Sequence, residues 1–173
     1  MRHRRSAGGR QKRPSRSERA RRRPAQTVRA AERLVTVSLP SRRTQPERVV
    51  AHLGPTNSGK TYAALKELAE KRAGVYAGPL RMLAQEAHRR LGEWIGAEHV
   101  GLVTGEERVN ERATVVCSTV EMAPQSGELL VLDEVQWADD AERGSAWTRL
   151  LLAGEYREIL LLGALDALPL VER

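Results

Sequence analysis

Residues 54–61 read Gly-Pro-Thr-Asn-Ser-Gly-Lys-Thr, and this octapeptide leaves the chain around it little choice of structure. A G-x-x-x-x-G-K-[ST] run works only as a tight loop poor in side chains, entered from a buried strand and leading straight into a helix. Gly54 and Gly59 let successive backbone N–H groups turn inward, with Thr56, Asn57 and Ser58 completing the cradle. The helix N-terminus adds its positive end, Lys60 reaches the outer phosphates of a nucleoside triphosphate, and the Thr61 hydroxyl is placed to ligate Mg2+. The flanks agree with that demand. Val49, Val50, Ala51 and Leu53 form a short apolar run suited to a buried strand. In Lys60–Arg72, Leu65, Leu68 and Ala69 recur at helical spacing, and Gly74 is expected to end the helix.

Beyond the loop, apolar strands alternate with amphipathic helices. Strands are expected at Val75–Ala77, His99–Val103, Thr114–Ser118, Leu129–Leu132 and Ile159–Leu162, and helices at about Leu80–Leu91 and Ala141–Leu152. This alternation predicts an α/β domain, a parallel sheet sandwiched between helix layers. The run Leu129-Leu130-Val131-Leu132 is apolar throughout, as a strand covered on both faces must be, and ends in Asp133-Glu134. Acids at the carboxyl end of such a strand lie where ligands of open α/β sheets collect. Asp133 is expected to hold the magnesium ion, through water, and Glu134 to orient the attacking water. The neighbouring Asp139 and Asp140 read as a helix-capping turn.

Charge divides the chain. Residues 1–46 carry fifteen Lys and Arg against two Glu, and residues 47–173 carry fourteen against twenty, so +13 and −6 make up the net +7. The first segment has almost no apolar residue before Val28 and is expected to be a disordered Arg-rich arm, either a solvated extension or a polyanion-binding element. Residues 47–173 are long enough for one domain with its own core. Arginine outnumbers lysine twenty-five to four and phenylalanine is absent, a bias that suggests a GC-rich bacterial genome and a cytoplasmic protein. The mitochondrial matrix is the alternative, because the arm is Arg-rich and acid-poor, although it lacks the apolar face of a transit peptide. The single cysteine, Cys117, falls in an apolar run and is expected to be buried, and His3, His52, His88 and His99 lack the spacing of a protein metal site. No stretch is long and apolar enough to predict a membrane span.

Six ordered blocks resemble one family: GPTNSGKTY at 54–62, YAGPLRMLAQE at 76–86, LVTGEERV at 102–109, CSTVEM at 117–122, VLDEVQ at 131–136 and RGSAWTR at 143–149. They are similar to the DExH-type RNA helicases of superfamily two exemplified by the helicase of the mitochondrial degradosome. The resemblance implies a RecA-like P-loop domain, ATP and Mg2+ served by Lys60, Thr61, Asp133 and Glu134, and Gln136 coupling nucleotide to the domain interface. It also implies RNA as partner, single-stranded or with a single-stranded tail, faced by Pro79, Arg81, Thr104, Gly105 and Thr119, and a ribonuclease as a further partner. Glu106, Glu107 and Glu121 would repel phosphate and are expected to form salt links within the domain. Ala164 departs from the family, which commonly has glutamate there.

The chain stops thirty-nine residues after Glu134, so a second RecA-like domain, which supplies the arginines that meet the transferring phosphate, is expected to be absent. The resulting expectation is the ATP-binding motor domain of an ATP-dependent RNA helicase, able to couple hydrolysis to unwinding only when complete. The alternatives are a non-catalytic, ATP-gated RNA-binding half-domain and a thymidine kinase-like P-loop kinase. The last fifty residues hold no cysteine for that kinase's zinc lasso.

Overall fold

The computed structural model describes residues 43–172, so residues 1–42 of the expected arm lie outside the described residues. Among the described residues eleven regular elements follow in order: β1 (Arg48–Leu53), α1 (Lys60–Lys71), β2 (Gly74–Gly78), α2 (Arg81–Ile95), β3 (Val100–Val103), β4 (Arg108–Val109), β5 (Val115–Thr119), β6 (Ser126–Leu132), α3 (Gly144–Ala153), β7 (Glu155–Gly163) and α4 (Leu168–Val171). The strands form one sheet in the order β1-β7-β6-β2-β5-β3-β4. All pairings are parallel except β3 with β4, a two-residue antiparallel return that the sequence pattern did not disclose.

Residue alternation along β6 builds both layers. Leu129 and Val131 face one way, into a core with Leu65 and Leu68 of α1 and Ala87 and Leu91 of α2. Leu130 and Leu132 face the other way, onto Trp147 and Leu150 of α3 with Ile159 and Leu161 of β7. The two-residue period of a strand sends successive side chains to opposite faces, so a strand between two helix layers has no polar position left. Each such fully buried aliphatic side chain contributes about 1.5–3 kcal/mol. The tryptophans follow the same logic: Trp147 is fully buried, with Trp137 stacked on it at 6.2 Å, and Trp94 packs against the α1/α2 core. Cys117 is buried on the same side as that core.

Several element ends differ from expectation for identifiable reasons. α1 is closed by Arg72, whose left-handed backbone (φ 53) lets its N–H donate to the Leu68 carbonyl at 3.0 Å. Gly74 instead opens β2 at φ 144, where a Cβ would stand 2.3 Å from the Leu129 carbonyl oxygen. α2 runs on to Ile95 because Trp94 and Ile95 pack against the core. β6 and β7 start earlier than their apolar runs, since Ser126 and Gly127 pair with Glu155 and Tyr156. Near the start of the described chain, the Arg43 N–H and the Thr44 hydroxyl donate to the Glu155 carboxylate at 2.6 and 2.9 Å.

Because the six longer strands are parallel, their carboxyl ends share one rim. Gly54, Pro79, Thr104, Thr119, Asp133 and Gly163 all lie at or just beyond strand ends on that rim.

Candidate active site

The loop after β1 is held at its start by the Gly54 N–H, which donates to the Gly163 carbonyl at 3.1 Å and so ties it to the end of β7. Asn57 (φ 62) and Gly59 (φ 85) supply the two left-handed turns that curl the loop back over the helix. α1 then begins at Lys60 with no side chain capping it. Its first N–H groups are therefore free of any side-chain cap, the arrangement that suits an anionic phosphate. The Lys60 ammonium lies folded over the loop, donating to the Gly54 carbonyl (2.9 Å), the Pro55 carbonyl (2.7 Å) and Ser58 Oγ (3.1 Å).

Across the cavity, β6 delivers Asp133, only 5% exposed. Both carboxylate oxygens are engaged: Oδ1 accepts the Glu134 N–H at 3.0 Å, and Oδ2 accepts the Tyr76 hydroxyl at 2.7 Å. Burial pushes the Asp133 carboxyl above its ordinary value, opposed by the Tyr76 bond and raised again by nearby Glu134. Burial first, then the charge of Asp133, drives the Tyr76 phenol well above its own. Tyr76 is the residue that sequence reasoning missed. It sits on β2, which is adjacent to β6 only in the sheet, and it needs Gly78: a Cβ there would lie 2.9 Å from the phenolic oxygen. The sequence signal for it is that small residue two positions on, which is weak without the strand order.

Glu134 follows in the left-handed region (φ 52, ψ 52), a conformation in which a side chain other than glycine is strained. Its carboxylate accepts from Gln136 Nε2, while Gln136 Oε1 accepts the Ala164 N–H at 3.3 Å. The link to the segment after β7 thus runs through the backbone of Ala164 and needs no side chain at that position.

A cavity of about 470 Å3 joins these parts, lined among others by Asn57, Lys60, Thr61, Tyr62, Asp133 and Glu134. Among the described residues no group of three or more His, Cys, Asp or Glu could hold a metal ion. Thr61 and Asp133 present one hydroxyl and one carboxylate to the same space. That sparse oxygen set fits Mg2+, which keeps waters and takes phosphate oxygens for the rest of its shell.

The residues expected to face RNA lie on the β2, β5 and β3 side of the rim, and three of them are bonded to neighbouring residues of the domain. Pro79 is buried and its carbonyl accepts from Arg143 Nη2 at 2.6 Å. Arg81 pairs with Glu106, and Gln85 Nε2 donates to Glu107 at 3.0 Å. Thr104, 1% exposed, uses its hydroxyl to accept the Glu107 and Glu106 N–H groups at 3.0 and 3.4 Å, a local turn rather than an open ligand. Gly105 is exposed with open space where a Cβ would be, and Thr119 is half-buried at the end of β5. Glu121 pairs with Arg143 at 2.7 Å, so Glu106 and Glu121 form the expected internal salt links and Glu107 a hydrogen bond. Asp140 caps its turn, accepting the N–H groups of Glu142 and Arg143 at 3.0 and 2.8 Å.

Residues 37–173 match the family described as the DEXQ-box helicase domain of Suv3. The chain is 44% identical over 134 residues to the mitochondrial ATP-dependent RNA helicase SUV3 of Saccharomyces paradoxus, an alignment covering 72% of this chain and 18% of that protein. It is 43% identical over 136 residues to the mitochondrial DExH-box ATP-dependent RNA helicase DExH16 of Arabidopsis thaliana, covering 77% and 24%. Against the human mitochondrial ATP-dependent RNA helicase SUPV3L1 the identity is 40% over 139 residues, covering 76% and 17%. The chain therefore spans about a fifth of the length of the curated relatives it matches. These relatives are mitochondrial proteins by name, which overturns the expectation of a bacterial cytoplasmic protein. That expectation rested on arginine over lysine and on missing phenylalanine, and such a bias records the base content of codons, not a compartment.

Proposed function

This chain belongs to the family of the DEXQ-box helicase domain of Suv3, and on that premise we propose that it is the ATP-binding motor domain of an ATP-dependent RNA helicase. The observation that carries the proposal is the meeting of Lys60 and Thr61, from the start of α1, with Asp133 and Glu134, from the end of β6, around one cavity. In this reading the β- and γ-phosphates lie over the free N–H groups of the loop and of the first turn of α1. Lys60 exchanges its three loop oxygens for phosphate oxygens, a trade of acceptors that leaves no ammonium hydrogen bond unmade. Bound Mg2+, held by Thr61 and by Asp133 through water, would neutralise charge developing on the phosphoryl oxygens. Tyr76 holds Asp133 in one rotamer from behind, and Glu134 orients the attacking water and takes its proton. Gln136 positions that carboxylate against the end of β7.

RNA would run along the β2, β5 and β3 side of the rim. The Arg81–Glu106 pair is exposed on both sides, and such surface pairs contribute only about 0–1 kcal/mol. A phosphate can therefore take Arg81 from Glu106 at small cost, and Gly105 and Thr119 offer close backbone approach and a hydroxyl to the sugar-phosphate chain.

Titration with a fluorescent ATP analogue in Mg2+ tests the site. Lys60→Ala should weaken binding roughly tenfold to a hundredfold, the loss of charged hydrogen bonds worth about 1.5–3 kcal/mol. Glu134→Gln should leave affinity near wild type, because the phosphate cradle is intact. Equal affinity for wild type and Lys60→Ala sinks the assignment.

A further inference from the structure

We propose that Arg143 is a positioning residue that carries nucleotide state from the Asp133 end of β6 to the ends of β2 and β5 that face RNA. The inference rests on the nucleotide-binding reading above. It starts from where the Arg143 guanidinium lies. Nη2 donates to the Pro79 carbonyl at 2.6 Å and to Glu121 Oε1 at 2.7 Å, and Nε donates to the same carboxylate oxygen at 3.2 Å. Pro79 is two residues before Arg81, and Glu121 is two residues after Thr119. One planar fork thus holds the ends of two strands that are neighbours in the sheet, Gly78 being in register with Thr119.

Its other face meets two tryptophans near the end of β6. The guanidinium carbon lies 5.2 Å from the ring centre of Trp137 and 5.6 Å from that of Trp147, within cation–π reach of both. Trp147 Nε1 donates to the Asp133 carbonyl at 3.1 Å. The path from the main chain of Asp133 to the RNA side is therefore short: the Asp133 carbonyl to Trp147, and Trp147 with Arg143 to Pro79 and Glu121. Asp140 fixes the backbone of Arg143 by accepting its N–H at 2.8 Å, so the guanidinium is aimed from a rigid base. Arg149, on the helix α3 that Arg143 precedes, donates from Nη2 to the Glu121 carbonyl at 3.2 Å, which leaves Glu121 held by side chain and main chain together.

Plain stabilisation does not account for this arrangement. The Arg143–Glu121 pair is about one-third to two-fifths exposed, where an ion pair adds little. The buried Nε of Arg149 has no partner among the described residues, an arrangement that costs stability. Two arginines converging on one glutamate make sense as a device that gives the two loop ends one shared position, set by where Asp133 and Trp147 sit.

Hydrogen–deuterium exchange of the full 173-residue chain, with and without Mg2+ and a non-hydrolysable ATP analogue, tests this. In wild type the nucleotide should slow exchange at residues 54–61 and also, by about fivefold or more, at residues 79–83 and 119–123. Arg143→Lys keeps the charge but loses the fork, and Glu121→Gln keeps the shape but loses the ion pair. Each should hold analogue affinity within about twofold of wild type and lose the distant protection. A merely structural tether would change exchange at 79–83 equally with and without nucleotide, so the readout is the nucleotide-dependent difference. Distant protection that persists in both variants overturns the proposal, as does its absence from a wild type whose 54–61 loop is protected. A wild type with no protection at 54–61 would take down the nucleotide-binding reading first, and this inference with it.

Discussion

Tyr76→Phe removes one oxygen atom and little else. The ring is 1% exposed and the hydroxyl donates to Asp133 Oδ2 at 2.7 Å, so phenylalanine fills the same space but for the hydroxyl itself. What is lost is a hydrogen bond to a charged group in a buried site, worth about 1.5–3 kcal/mol. At roughly 4 °C per kcal/mol for a domain of this size, that predicts a melting temperature lower by about 6–12 °C. The loss should depend on pH, and its sign follows from Asp133. Burial raises that carboxyl above its ordinary value of 3.8, so ionising it costs the folded state stability as pH climbs through the shifted value. The Tyr76 bond opposes the shift, and its removal raises the carboxyl further. The Tyr76→Phe penalty is therefore full above both raised folded values, where Asp133 is ionised in both proteins, and shrinks as pH falls through them and the folded carboxyl takes up its proton. What remains there is a neutral hydrogen bond of about 1 kcal/mol. Urea unfolding of both proteins in a chelator, followed by far-ultraviolet circular dichroism at about pH 7 and about pH 4, measures the difference directly. A penalty below about 0.5 kcal/mol at neutral pH, or one equal at both pH values, would refute the reasoning.

Gly144→Ala should destabilise by about 1–3 kcal/mol, because the new Cβ would stand 2.3 Å from the Ala138 carbonyl oxygen and 3.1 Å from that of Trp137; a thermal melt within about 1 °C of wild type would show that the turn before α3 can give way. Deleting residues 1–42 should flatten the salt dependence of single-stranded RNA binding by about 0.7 in the slope of log K against log salt for each phosphate that the arm neutralises; filter binding across a salt series reads it, and an unchanged slope places the RNA surface on the sheet rim alone.

The loop at 54–61 and the acids at 133–134 were legible because the chemistry there is local: each needs particular residues within a few positions, and strand, loop and helix are consecutive in the chain. The layered fold was legible for a similar reason, since a run such as Leu129–Leu132 is apolar on both faces only if both are covered. What resisted reading was set by neighbours distant in sequence. Tyr76 reaches Asp133 across fifty-seven positions, and Arg143 reaches Pro79 across sixty-four, through a strand order that alternation does not determine. Thr104 shows the converse. Its place at a strand end fits a phosphate ligand, but only the loop geometry reveals that the hydroxyl is spent on Glu106 and Glu107. The same holds for Gly74, read as a helix end and needed instead for close approach to Leu129.

If Glu134 serves hydrolysis as proposed, its left-handed backbone sets selection for folding against selection for turnover. A non-glycine residue held at φ 52 and ψ 52 carries roughly 1–3 kcal/mol of strain, which glycine or asparagine would shed. A lineage under pressure only to persist as a folded, abundant protein would drift toward those residues at this position, one codon step at a time. On the proposed reading that carboxylate orients the attacking water, so a descendant released from turnover would be free to shed the strain at position 134.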